Sequence, residues 1–163
     1  MVKQSPAIEI CRTCPQDRDA ILSILEKTNF FRSHELLIAE EVLNDALAKD
    51  HEGDYQSFVA KQGQNTIGWI CFGLTPCTVG TFDIYWVAVE PEKQRCGVGL
   101  LLMQFATNII ENQKGRKIVV DTSGSPRYES TRRFYEKMGY HAEARLRDFY
   151  DLGDDKVIYV RDI

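Results

Sequence analysis

Gln94-Arg95-Cys96-Gly97-Val98-Gly99 joins a strand-like run to a helix-like one. Upstream, Thr81–Val89 is hydrophobic, β-branched and aromatic. Downstream, residues 100–112 carry apolar side chains at helical spacing. A glycine loop that opens a helix presents backbone N–H groups with no intrahelical partner, backed by the positive end of the helix dipole. It is a phosphate cradle made of main chain, and glycine allows close approach where a Cβ would intrude. The nucleotide P-loop needs a lysine and a hydroxyl after its last glycine. Here Gly99 is followed by Leu100 and Leu101, so that reading fails. The dinucleotide fingerprint needs a third glycine where Leu102 stands. Asp121 is available further on as an acidic ribose ligand, so this second reading is weakened, not removed.

The chain has 163 residues, the size of one domain with a real core. Formal net charge is −4, with both signs interspersed, and no basic patch suggests nucleic acid as a partner. Residues 1–6 show no apolar signal region, and no run approaches the length that spans a membrane. The five cysteines are odd in number and scattered, which fits a reducing, cytoplasmic setting. Cys11-x-x-Cys14 lacks the second pair a zinc site needs and the context of a redox motif. Incidental thiols and no metal are expected.

Residues 7–12 alternate as a first strand. Pro15 suits a first helical turn, with Asp17 and Asp19 at its positive end. Ile21, Leu22, Ile24 and Leu25 form the apolar face of that helix. Ser33 is the expected N-cap of a second helix, with Glu35 in its first turn. Leu36, Leu37, Leu43 and Leu47 are its expected buried stripe, and the helix is expected to end near Asp50-His51-Glu52-Gly53. Strands follow at 56–61 and 66–72, joined by a hairpin at Gly63-Gln64-Asn65. The strand Thr81–Val89 and the loop come next. Leu101, Leu102, Phe105, Ile109 and Ile110 mark the buried face of the loop's helix, which Gly115 ends. Residues 118–121 form a short apolar strand. Residues 128–138 form a helix closed by Gly139. Strands at 141–147 and 157–161 finish the chain.

This β-α-α-β-β-β-α-β-α-β-β order, together with Gln94-x-x-Gly97-x-Gly99, resembles the GNAT superfamily of acetyl-CoA-dependent N-acetyltransferases. Arg133-Phe134-Tyr135-Glu136-Lys137-Met138-Gly139-Tyr140 resembles the family's second signature, at the end of the helix after the fifth strand. The resemblance covers nearly the whole chain. It implies an α/β fold in one domain, residues 1–163. The mixed central sheet would be splayed between its fourth and fifth strands, with helices on both faces.

The resemblance implies acetyl-CoA as acyl donor. Its pantetheine arm would pair with the main chain of Val87 and Val89. Its pyrophosphate would meet the amides of Arg95, Cys96, Gly97, Val98, Gly99 and Leu100. Arg95 adds a charge there or is simply a solvated loop arginine. The family's pantetheine-contacting asparagine is replaced by Tyr128, whose phenol can still hydrogen-bond, and the small residue that follows is Thr131. Cys96 lies along the pyrophosphate, far from the thioester. A covalent cysteine mechanism is therefore not expected, nor is a Ser/His/Asp triad from His34, His51 or His141.

An alkylamine with a lysine-like pKa of ~10.4 must lose a proton before it attacks, and the departing thiolate must gain one. Tyr135 stands at the family's tyrosine position and is the expected donor to sulfur. The bland reading is a core tyrosine. For the base, Asp83 occupies an offset used in the histone-acetylating branch, and aspartate is otherwise rare inside strands. The alternatives are Glu90, a chain of waters, or an Asp83 that merely marks a solvated strand end. Tyr85 shares the Asp83 face by strand periodicity.

Phe31, Tyr85 and Phe149 are expected to line the acceptor site. Asp148, Asp151, Asp154 and Asp155 make the last turn acidic, which suits a cationic amine or is an ordinary solvated turn. A small-molecule amine or amino-acid-like acceptor is expected, with a protein N-terminus or lysine as runner-up, in a monomer or homodimer without nucleic-acid or membrane partners. The competing class is a noncatalytic acyl-CoA-binding regulatory domain.

Overall fold

The computed structural model describes residues 6–49 and 52–163. The strands are β1 (Ile8–Arg12), β2 (Gln56–Gln62), β3 (Asn65–Leu74), β4 (Thr81–Val89), β5 (Lys117–Ser123), β6 (His141–Asp151) and β7 (Asp154–Asp162). The helices are α1 (Arg18–Thr28), α2 (Ser33–Ala48), α3 (Val98–Asn112) and α4 (Glu129–Lys137). The strands form a seven-stranded mixed sheet in the order β1-β2-β3-β4-β5-β7-β6, with β4 and β5 parallel. No helix among the described residues is long and apolar enough to cross a membrane.

Two compact units are distinguished: the chain up to Gly73 with Trp86–Ile109, and Leu74–Tyr85 with Ile110–Ile163. In the first, β2 and β3 pair antiparallel across a tight turn at Gly63. Their side chains alternate between two faces. On one face Phe58 packs against Phe72 and edge-on to Phe105 of α3. On the other, Trp69 stacks with Trp86, which meets Phe31 edge-on just before α2. The fully buried Trp69 indole donates to Ser57 Oγ at 2.8 Å, so its N–H is satisfied within the core.

Gly68 explains how closely α3 lies on the strands. A Cβ there would stand 3.0 Å from Leu102 Cδ1 and 3.1 Å from Val98 Cγ1. A lone glycine inside a strand marks such a close approach.

Several local expectations need correction. Arg32, not Ser33, is the N-cap of α2, and Glu35 reaches back to accept from the Arg32 N–H at 2.6 Å. The buried stripe of α2 is Ala39, Leu43 and Ala46, whereas Leu37 is 62% exposed. Helical faces are decided by 100° steps, and small alanines complete the stripe where leucines were expected. The α2 helix ends at Ala48, and Asp50 and His51 lie outside the described residues. On α3 the buried apolar residues are Val98, Leu102, Met103, Ala106 and Ile110, with Thr107 buried beside them, while Leu101 is exposed.

In the second unit, β5 pairs with β7, and β6 with β7, both antiparallel. The end of α3 is closed by Lys114, not Gly115, in the left-handed position at φ +63. Gly115 N–H donates to Ile110 O and Lys114 N–H to Glu111 O, the paired bonds of a Schellman cap. Gly115 serves a different need, since a Cβ there would stand 2.2 Å from Ile110 Cγ2. At the end of α4, Gly139 takes the left-handed position itself, at φ +84. Tyr140 N–H to Tyr135 O and Gly139 N–H to Glu136 O complete the same cap.

Candidate active site

The cradle is built at the end of β4. Glu90 N–H donates to Ile67 O, extending the sheet by one bond. Pro91 starts a short 3-10 turn that reverses the chain. Gln94 Nε2 reaches back to Val89 O at 3.3 Å, which ties the loop to the strand it leaves. Arg95 and Gly97 both have positive φ, +61 and +83. Leu101 N–H donates to Gly97 O at 3.0 Å, so Gly97 caps α3. The amides of Val98, Gly99 and Leu100 therefore precede the first intrahelical bond and stay available to a ligand. Nothing stands within 4 Å of a Cβ built on Gly97. Arg95, Cys96 and Gly97 are exposed, while Val98 is buried and anchors the helix start. An open turn with free amides at a positive helix end fits a pyrophosphate.

Glu90 has a cationic neighbour from α1. Its carboxylate is ion-paired with Lys27 Nζ at 3.2 Å. Val87 and Val89 are half-buried near the end of β4. The parallel ladder between β4 and β5 covers Thr81–Ile84 against Lys117–Val120 and stops there, although β4 runs on to Val89 and β5 to Ser123.

In the second unit, Asp83 is half-buried and accepts a hydrogen bond from Thr75 Oγ1 at 2.6 Å. Thr75 itself belongs to a tight turn. Its N–H donates to Thr81 O, and its carbonyl accepts from Thr78 Oγ1 at 2.7 Å. The sequence alone assigns Thr75 no role. Its spacing of eight residues from Asp83, across a turn, was the available signal. Tyr85, two residues after Asp83, is half-buried.

Tyr135 is buried, 3% exposed, with its ring against Phe134, Tyr140 and Tyr159. Burial pushes its phenol well above the ordinary tyrosine range, and the neighbouring Tyr140 adds to the shift. The group therefore keeps its proton at neutral pH, as a proton donor must. Tyr159 Oη donates to Glu136 Oε1 at 3.0 Å. Arg132 Nη1 donates to the carbonyls of Ser123 and Ser125, both at 2.8 Å, lashing α4 to the loop before it. Tyr128 and Thr131 are half-buried at the start of that helix.

The acidic last turn is largely occupied by its own chain. Asp148 accepts from Gly153 N–H, Asp151 from Leu152 N–H, and Asp155 from Asp148 N–H and Arg145. These bonds favour the structural reading of the turn. Phe149 is 53% exposed. His34 is exposed, and His141 is bonded to Glu143 at 2.9 Å. All five cysteines are free thiols, and burial pushes the Cys71 thiol up.

A family model described as an acetyltransferase (GNAT) domain matches residues 53–142. Among solved structures, a GNAT-family protein from Desulfovibrio desulfuricans is 37% identical, with a TM-score of 0.92. The match covers 96% of this chain and 99% of the other. The ribosomal-protein-S18-alanine N-acetyltransferase from Escherichia coli is 18% identical with a TM-score of 0.77, covering 96% and 94%. An aminoglycoside 6'-N-acetyltransferase complexed with coenzyme A is 15% identical with a TM-score of 0.74, covering 94% and 96%. The last two show a common fold. A search of curated proteins finds no match.

Proposed function

The chain belongs to the GNAT family of acetyltransferases, and on that premise we propose that it acetylates a small primary amine. The observation that carries the donor half of this reading is the cradle: free amides at the start of α3, with open space beside Gly97. In this reading the amides of residues 95–100 hold the pyrophosphate. The main chain of Val87 and Val89 aligns the pantetheine arm, with Tyr128 and Thr131 as further contacts. Bound acetyl-CoA supplies an acyl group already activated as a thioester. The whole chain, residues 1–163, acts as one catalytic domain in the cytoplasm.

The chain's own residues handle protons. Asp83 takes a proton from the acceptor ammonium, and Tyr135 gives one to the leaving sulfur. As the new N–C bond forms and the C–S bond breaks, the nitrogen sheds its second proton to the Tyr135 phenolate, so the products are a neutral amide, a thiol and one proton, which Asp83 passes to solvent. Each positioned group of this kind contributes about 10²–10⁴ in rate. Asp83 is preferred to Glu90 because Lys27 already neutralises Glu90. Phe31, Tyr85 and Phe149 supply apolar walls for the acceptor.

A protein N-terminus or lysine is the second reading, favoured by the fold shared with the ribosomal-protein enzyme. The deciding experiment is an acetyl-CoA consumption screen over diamines and polyamines, amino acids, aminoglycosides and peptides. Turnover with small amines and none with peptides is expected. Turnover with peptides alone would reverse the choice. Coenzyme A binding without turnover on any acceptor would point to a regulatory domain.

A further inference from the structure

Strand β5 carries a second carboxylate on the face of Asp83. Asp83 stands opposite Val119 in the parallel ladder. Side chains two apart on a strand share a face, so Asp121 shares the face of Val119 and Asp83. Strand spacing and rise put the Asp83 and Asp121 Cα atoms about 8 Å apart.

Asp121 is not simply solvated. The Lys156 ammonium, on β7, is ion-paired with its carboxylate. The same ammonium stands 4.7 Å from the centroid of the Phe149 ring. The Lys156 side chain is only 20% exposed, whereas Phe149 presents half its surface to solvent. A carboxylate and an aromatic face converging on one ammonium is the chemistry that recognises alkylammonium ions. Here the chain's own lysine fills that position. A partly exposed ion pair on a long flexible stem is weakly held, so a ligand cation competes with it.

We propose that Asp121 and Phe149 form a site for a second ammonium, filled by Lys156 in the free chain and yielded to the distal ammonium of an α,ω-diamine acceptor. This rests on the amine-acceptor reading and names its substrate class. The nitrogens of an extended 1,5-diaminopentane are about 7–8 Å apart by standard bond lengths. That span matches one ammonium at Asp83 and the other at Asp121. Lys156 then excludes monoamines from nothing they need, but competes with every diamine.

The test compares 1,5-diaminopentane with 1-aminopentane on the whole chain with acetyl-CoA. Wild type is expected to favour the diamine in kcat/KM. Lys156→Met should raise the diamine-to-monoamine ratio about tenfold, through a lower diamine KM. Asp121→Asn should abolish the preference. Phe149→Leu, which leaves every charge in place, should reduce it and serves if Asp121→Asn does not fold. A ratio that none of these substitutions moves overturns the inference and leaves amine acetylation standing. If neither amine is acetylated, the acceptor reading has failed, and calorimetric titration of 1,5-diaminopentane decides the inference alone. Tighter binding to Lys156→Met than to wild type supports it; equal or absent binding overturns it.

Discussion

Thr75 Oγ1 donates a 2.6 Å hydrogen bond to Asp83 Oδ2, so the turn before β4 holds the carboxylate proposed as the catalytic base. Removing that donor with Thr75→Val should cost about 1.5–3 kcal/mol of stability, the range for a hydrogen bond to a charged group. If Asp83 is the base, kcat/KM should also fall severalfold, and Thr75→Ser should restore it. Thermal melts and steady-state kinetics on the three proteins separate the two effects. A lower Tm with unchanged kcat would remove Asp83 from the chemistry and leave it a turn-stabilising residue.

Tyr135→Phe should lower kcat about 100-fold while leaving acetyl-CoA affinity little changed, because the ring remains and only the proton donor goes. Stability gives a second readout. Burial raises the phenol above its ordinary value, so the folded state binds this proton more tightly than the unfolded state. The associated stabilisation is fully present below the unfolded value of ~10 and is lost as pH rises beyond it. Tm should therefore fall more steeply above pH ~10 in wild type than in Tyr135→Phe. Parallel curves would mean that Tyr135 is not buried as described.

The same residues show what the sequence made legible. Thr81–Val89 and the glycine loop were readable because strand alternation, a charged turn and glycine spacing are all local signals. Gly139 was readable because a C′ glycine after an amphipathic helix has one common use. Lys114 was not, because a lysine at positive φ breaks the rule that points to the adjacent Gly115. Leu37 was misplaced because one leucine more or less shifts an apolar arc, and only packing decides which side is covered. The Thr75–Asp83 and Lys156–Phe149 contacts join residues across turns, and no periodicity reports them. The main-chain parts of the candidate site were thus legible in the sequence, while the side-chain partners of its carboxylates were not.

Asp17 was read as a helix-dipole residue, yet it is the buried centre of a polar cluster. Its carboxylate accepts from Lys61 Nζ at 2.8 Å, Thr66 Oγ1 at 2.9 Å and Cys14 N–H at 3.0 Å. Burial alone would raise its pKa, but the hydrogen bonds from Lys61, Cys14 and Thr66 outweigh it and hold the carboxyl below the usual range. The resulting stability is present above the unfolded value of ~3.9 and lost as pH falls through the folded value. Asp17→Asn should cost about 3 kcal/mol at neutral pH, since it strands the Lys61 charge. It should also flatten the acid limb of the stability curve. Urea melts from pH 3 to pH 7 would show a wild-type curve converging on that of the variant at the acid end.

Gly97 and Gly68 should fail differently, although both serve α3. Gly97 adopts φ +83 in open space, so a side chain there meets no neighbour but is strained in the left-handed region. Gly97→Val should therefore cost about 1–2 kcal/mol of stability. Its larger effect should be on acetyl-CoA, because the side chain projects where the pyrophosphate would lie against the amides. A loss of binding by tenfold or more is expected in calorimetry, with the fold intact by circular dichroism. Gly68→Val instead drives a branched side chain into Leu102 and Val98, at distances real Cβ atoms rarely reach. Overpacking of this kind costs about 1–3 kcal/mol and displaces the helix start that carries the amides. Its binding defect should be relieved by a compensating Leu102→Ala, which restores room beneath α3. The Gly97→Val defect should be indifferent to that second change. If Gly97→Val bound acetyl-CoA normally, the cradle would be wrongly placed.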